Sequence, residues 1–233
     1  MVKSRIRGFY VSVNSLINYK GMARVRSQVV KLSGMVGGLV FYKSIYGDLV
    51  RTKPESVGKK RKSSALQKLQ QNKLPVVMAF LSPLKRLLKE NMFPPGTVLP
   101  AFHWAKSYYL NEAVYYEEER YHINFPKALM SLGDLRPPDL ISAHVDGTYL
   151  VELQWQDNSD QALAYPDDGL LVVLCAPEAR AIFYQTEVAR RSDQAVTITL
   201  NKSWEGVETH VWAAFSQPGK RASASVYLGS FIL

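Results

Sequence analysis

The second half of the chain is patterned with a period of two. Tyr149, Val151, Leu153 and Trp155 alternate with Leu150, Glu152 and Gln154, as in a strand with one face in a core and the other in water. Further strand-like runs follow at 170–174, 181–184, 195–200, 208–215 and 222–228. Turn residues separate them, namely Asp157-Asn158-Ser159-Asp160, Pro166-Asp167-Asp168-Gly169 and Pro218-Gly219-Lys220. Short strands at this spacing predict an antiparallel sandwich over about 125–233. Its core is expected to hold Leu153, Trp155, Val172, Leu174, Phe183, Ile198, Val211 and Ala213.

The segment 63–124 reads with a helical period instead. Ser64 and Gln67 form a capping box, in which hydroxyl and amide satisfy backbone N–H groups left free at a helix start. Leu66, Leu69, Val77, Phe80, Leu84, Leu87 and Leu88 then make one apolar face. Pro75 is expected to kink that helix, and Ser82-Pro83 reads as the N-cap and first residue of a second. Pro94-Pro95-Gly96 ends the second, and a third helix is expected from Ala101 to Val114. Upstream, apolar runs at 39–42 and 48–50 flank a turn containing Gly47-Asp48, which predicts a β-hairpin. Gly34, Gly37 and Gly38 precede it and permit close approach of another chain.

These elements define an α+β fold class: a basic N-terminal arm with a β-hairpin, two or three helices, and a C-terminal antiparallel β-sandwich. The expected divisions are an N-terminal extension at 1–21, the arm at 22–62, helices at 63–124 and the sandwich at 125–233.

Charge sharpens this picture more than overall composition does. Of 233 residues, 47% are hydrophobic and 21% charged, an ordinary globular balance with net charge +9. Residues 1–90 hold 19 Lys/Arg against three acids, whereas residues 91–233 hold 10 against 17. Such polarity suits either an acidic partner for the arm or head-to-tail pairing of subunits. Cys175 is the lone cysteine, so no intrachain disulfide forms. No apolar run reaches the length of a membrane span. Asn14, Ser15 and Asn18 interrupt the apolar stretch near the N-terminus, so no signal peptide is expected and the default localisation is cytoplasmic.

Several short motifs carry a family resemblance. They are Met22-Ala23-Arg24, Ser33-Gly34-Met35-Val36-Gly37 and Asp48-Leu49-Val50-Arg51-Thr52-Lys53-Pro54, followed by Phe80-Leu81-Ser82-Pro83-Leu84. Ala101-Phe102, Ser131-Leu132-Gly133-Asp134-Leu135 and Ser225-Val226-Tyr227-Leu228-Gly229-Ser230 complete the set. Over about 22–233 the chain resembles a bacterial domain-of-unknown-function family. The family often has Ser-Gly-Lys where this chain has Ser33-Gly34-Met35. The resemblance implies that arm, helices and sandwich form one unit, and it brings no activity with it. Trp155 on an early strand and the long hairpin 208–228 are also similar to a fibronectin type III domain. The tyrosine corner of such sandwiches is not evident, so the expectation is an immunoglobulin-like sandwich.

The arm holds the candidate site. Arg24, Arg26, Lys43, Arg51, Lys53, Lys59, Lys60, Arg61 and Lys62 are the expected partner-binding residues, interleaved with Phe41, Tyr42 and Tyr46. Cations pair with phosphates and aromatics stack on unpaired bases, but a docking arm needs the same residues. His103, His122, His144 and His210 show no metal spacing. Asp157, Asp160, Asp167 and Asp168 cluster in two predicted loops without matching an EF-hand. Pro138-Asp139 with Glu152-Leu153-Gln154 faintly resembles a metal-dependent nuclease core, but Gln154 stands where that core needs lysine. No G-x-S-x-G elbow occurs, and the glycines at 34–38 lack the Gly-Lys-Ser/Thr ending of a phosphate loop. No catalytic residue, metal ligand or cofactor is therefore expected. The leading expectation is a non-enzymatic structural and assembly protein whose arm contacts its own kind or a neighbouring subunit. The alternative is a nucleic-acid-binding protein, and a weaker one is a carbohydrate- or surface-binding sandwich.

Overall fold

The computed structural model describes residues 33–45, 47–53, 62–145 and 149–233, together with the backbone of short strands at 4–6, 9–11 and 22–24. The chain divides into two units, Met1–Ser63 and Ser64–Leu233.

In the first unit β1 (Ser4–Ile6) and β2 (Phe9–Val11) form an antiparallel ribbon. The strands β3 (Met22–Arg24), β4 (Gly34–Val36), β5 (Leu39–Ser44) and β6 (Gly47–Thr52) form an antiparallel sheet in the order β3-β6-β5-β4. The hairpin expected from the sequence is β5–β6, with its turn displaced. Ser44 pairs with Gly47, so the turn begins at Ile45, and Gly47-Asp48 already belong to β6. Gly47 takes φ +103°, a conformation that glycine adopts at little cost, and so closes the turn from its far side.

In the second unit the capping box starts α1 (Ala65–Leu81) as expected: the Gln67 N–H donates to Ser64 Oγ at 3.2 Å, and the Ser64 N–H donates to Gln67 Oε1 at 3.0 Å. Ser82 does not begin the next helix. Its hydroxyl donates back to the Met78 carbonyl at 2.6 Å, and Pro83 has no N–H to continue the ladder, so Ser82 caps the end of α1. The second helix, α2, is Lys85–Asn91, and α3 is Ala101–Asn111. Val77, Leu81, Leu84, Leu87 and Leu88 are fully buried. Leu66, expected on the same apolar face, is 75% exposed, because the first half of α1 extends beyond the core. A hairpin of β7 (Val114–Glu117) and β8 (Arg120–Ile123) follows, which the sequence reading did not anticipate.

The remaining strands are β9 (Asp139–Val145), β10 (Leu150–Gln156), β11 (Gly169–Ala176), β12 (Ala181–Gln185), β13 (Ala195–Thr199), β14 (Glu208–Gln217), β15 (Arg221–Ala222) and β16 (Val226–Ile232). They make two antiparallel sheets. One runs β13-β10-β9; the other runs β12-β11-β14, with β15 and β16 both paired to β14. Between them lies a buried layer of Val151, Leu153 and Trp155, Leu170, Val172 and Leu174, Ile198, and Val211, Ala213 and Phe215. Seven of the eight expected core residues are buried here, and Phe183 is half-buried against them. The reverse face of β11 and β14 supplies Leu171, Val173, Cys175, Trp212 and Ala214 to a second layer, shared with Val77, Leu81, Leu84 and Leu88 of the helices. The helices therefore cover the outer face of the larger sheet.

Two polar devices fix the connections. The first explains the 131–135 motif: Ser131 Oγ donates to the Ser223 carbonyl at 2.9 Å, the Leu135 N–H donates to the Ala222 carbonyl at 3.0 Å, and the Met130 N–H donates to Ser225 Oγ at 2.9 Å. Gly133 sits so close that a β-carbon there would collide with the Ala222 carbonyl. The second is Arg191, whose side chain is completely buried. Its guanidinium donates to Asp168 Oδ2 at 2.8 Å, to the Tyr165 and Arg136 carbonyls at 3.2 and 3.0 Å, and to Asn158 Oδ1. It lies 3.9 Å above the Phe215 ring, and its own carbonyl accepts from Trp155 Nε1 at 2.8 Å.

Arg191→Met is expected to destabilise the protein by roughly 3–5 kcal/mol in chemical denaturation, because it leaves the Asp168 carboxylate buried without its cation. Gly133→Ala is expected to lower the melting temperature through the backbone collision, while Gly206→Ala, with open space around it but φ +72°, costs only the local strain of about 1 kcal/mol. Equal effects of the two glycine substitutions would contradict the close approach at Gly133.

Candidate partner-binding surface

The sheet β3–β6 is amphipathic on neither side in the ordinary sense. Its register puts Leu39, Phe41 and Lys43 opposite Thr52, Val50 and Asp48 on one face, and Val40 and Tyr42 opposite Arg51 and Leu49 on the other. Val36 extends the first face and Met35 the second. Both faces thus carry apolar side chains, yet none of residues 33–45 and 47–53 is buried. Met35 is 58% exposed, Val36 64% and Ile45 53%. Full burial of a side chain of this size contributes about 1.5–3 kcal/mol, so these three retain roughly half of that stabilisation for an additional contact. Arg51 lies over the Tyr42 ring at 5.9 Å.

Of the nine expected partner-binding residues, Lys43, Arg51, Lys53 and Lys62 are exposed. Lys43 and Arg51 project from opposite faces of the sheet, and the Lys53 N–H donates to the Gly38 carbonyl at 2.7 Å. Lys62 lies beside the Ser64 cap, outside the sheet. Arg24 occupies the position opposite Leu49 in β3. Arg26, Lys59, Lys60 and Arg61 lie outside the described residues. The sheet therefore gathers Lys43, Arg51 and Lys53 without turning them all to one side.

The chemistry-bearing residues of the second unit are dispersed. His103 is exposed on α3, His144 is exposed on β9, and His122 stacks on Tyr115 with centroids 5.5 Å apart. His210 stacks on Phe125 at 3.8 Å and lies 2.8 Å from the Tyr227 hydroxyl through Nδ1; burial lowers its pKa. Asp168, one of the four clustered aspartates, is committed to Arg191 and to Gln217 Nε2 at 2.7 Å. Asp157 accepts from the Ser159 N–H at 2.9 Å. Among the described residues no three His, Cys, Asp or Glu side chains group as metal ligands. An open, polar depression of about 340 Å³ lies at the end of the larger sheet, with Asp167, Glu187 and Lys220 on its rim. Among the described residues no helix is long and apolar enough to cross a membrane.

The β7–β8 ribbon is the surface that the sequence reading missed. Tyr115 and Tyr116 are 43% and 48% exposed, Tyr116 packs on Tyr121 at 5.0 Å, and Lys73 lies 5.9 Å above Tyr121. The near-symmetry of Val-Tyr-Tyr-Glu and Arg-Tyr-His-Ile about Glu118-Glu119 is the signal that marks it.

A family model described as a family of unknown function, DUF6266, matches residues 27–229. The chain belongs to that family. The match takes in β4–β6, the helices and both large sheets, and it leaves Arg24 and Arg26 outside. Comparison with curated proteins yields no match. Among solved structures, this DUF6266 chain is similar to the solution structure of the fn3 domain of human collagen alpha-1(XX) chain, at 8% identity over 42% of this chain and 84% of that one, with a TM-score of 0.32.

Burial pushes the Cys175 thiol up to about 12. Since the thiolate is the reactive form, a maleimide at pH 8 is expected to label native protein no faster than it unfolds and denatured protein at once. Rapid labelling of the native form would place Cys175 outside the buried layer.

Proposed function

We propose that the protein is a non-enzymatic assembly protein whose basic N-terminal sheet contacts a neighbouring subunit or partner, and that its stacked sheets are an immunoglobulin- and fibronectin III-like sandwich. One observation carries the first part: the sheet β3–β6 has apolar side chains on both faces, cations among them, and no buried residue among those described. Such a sheet gains stability from a second surface, and its short edge strand β4, with Met35 and Val36 exposed, suits strand addition. The non-enzymatic part rests on the separation of the histidines and the sealed Cys175, since catalysis needs convergent acids, bases or nucleophiles. The sandwich reading rests on strand order. Lettered along the chain from β9, with β12 as C′, no strand D and the two-residue β15 left unlettered, the sheets read ABE and C′CFG, a division close to that of immunoglobulin domains.

Arg51 over Tyr42 favours a second reading, in which the same sheet binds nucleic acid through a cation–aromatic platform. Light scattering of the full chain across a salt series, with and without RNA or DNA, separates the two. Self-association at low salt that weakens at high salt is expected, since exposed charges are screened beyond about 8–10 Å at 0.1–0.15 M. The triple variant K43E/R51E/K53E is expected to abolish it. A chain that stays monomeric at every salt concentration and shifts only with nucleic acid would overturn the assembly reading, and one that responds to neither would overturn both.

A further inference from the structure

We infer that the end of the sandwich presenting Leu140 and Leu163 is the docking surface for the basic N-terminal sheet of a second copy of this chain. The inference rests on the assembly reading and names its missing partner surface. Leu140 is 82% exposed at φ +48°, and Leu163 is 44% exposed at φ +60°. Left-handed backbone is rare for a residue of this bulk, and strain of this kind persists only where its surroundings enforce it. Two leucines thus face water in a conformation that neither burial nor backbone preference favours.

The surroundings that enforce it are buried and polar. The Leu163 carbonyl accepts from the Arg136 N–H at 2.9 Å, and Asn158 Nδ2 donates to the Pro137 carbonyl at 3.2 Å. Arg191 donates to both stretches at once, at the Arg136 and Tyr165 carbonyls. The loop between β10 and β11 and the entry to β9 are held together before any partner arrives, which lowers the ordering cost of association. Tyr165, 40% exposed, adds an aromatic from the same loop.

Charge selects the occupant. Asp160 and Asp167 are exposed beside Leu163, and residues 139–208 carry twelve acids against four Lys/Arg. Of the cations on this side, Arg136 pairs with Asp139 at 3.5 Å and Arg221 with Asp134 at 3.9 Å, while Lys220 shares the rim of the depression with Asp167 and Glu187. Residues 1–63 hold 14 Lys/Arg against Asp48 and Glu55 alone. The helical stretch 64–112, with six Lys/Arg against two acids, lacks that complementary charge. Apolar side chains on an acidic ground therefore face apolar side chains on a basic one, which is the complementarity of a head-to-tail contact.

The test uses the full chain with Leu140→Asn and Leu163→Asn together. Asparagine enters the left-handed region more readily than leucine, so the melting temperature is expected to hold or rise. Self-association in low-salt sedimentation is expected to weaken by at least about tenfold. Unchanged association at an unchanged melting temperature would overturn the inference. A charge swap gives a second readout: D160K/D167K is expected to lose self-association, and mixing it with K43E/R51E/K53E is expected to restore a hetero-complex. Failure of that mixture to associate counts against the inference. If K43E/R51E/K53E alone abolishes association while both loop variants leave it intact, the assembly reading stands and this surface is wrong. If the unaltered chain never self-associates, both fail.

Discussion

Every residue of β11, from Gly169 to Ala176, is buried, and the central part of β14 is buried with it. A strand in that position has two faces to cover, and each cover has its own consequence. Leu170, Val172 and Leu174 require the second sheet, so β9, β10 and β13 close over them. Leu171, Val173 and Cys175 require something on the far side, which α1, α2 and α3 supply. Neither cover is ornamental, because apolar area returned to water costs about 25 cal/mol per Å².

The ion pair of Arg191 and Asp168 belongs to a different class of interaction. Desolvating both charges cancels much of their attraction, so such a pair is a weak source of net stability. Its geometry shows what it specifies instead. One guanidinium, carried on the connection between β12 and β13, joins residues 136, 158, 165 and 168, drawn from two further connections that the sheets alone leave unfixed. Phe215 beneath it and Trp155 beside it tie the same point to the core of both sheets. Loss of the pair therefore loosens a surface as well as lowering stability.

The alternating strands were legible in the sequence because period two leaves a record wherever one face is wet. That held for β10 and β13, and the capping box of α1 was legible from its own two residues. The far face of β11 was not legible, since a run such as Leu170–Leu174 reads the same whether helices or solvent lie behind it. The ribbon β7–β8 escaped because Glu118 and Glu119 take φ +48° and +60°, positions where asparagine or glycine would have announced a turn. Ser82 was misplaced because the same hydroxyl caps forward at one helix start or bonds backward to Met78 at another's end. In the candidate site the charge was legible and the missing core was not. Only the register shows that apolar residues fall on both faces of the sheet, and only the burial shows that none of those described is fully covered.

That sheet has no buried residue among those described, and on the proposed assembly reading its composition sets how an association through it behaves. Lysine and arginine act over a Debye length and govern how fast two surfaces find each other, whereas apolar contacts act only on touching and govern how long they stay. A sheet carrying both separates the two quantities. Raising salt screens the cations and so slows encounter, whereas the apolar contacts of Leu39, Phe41 and Val50 are not screened and strengthen in kosmotropic salts. An association made by charge alone would lose both together. On the proposed assembly reading, the apolar residues interleaved with the cations distinguish a contact that persists once made from a transient electrostatic encounter.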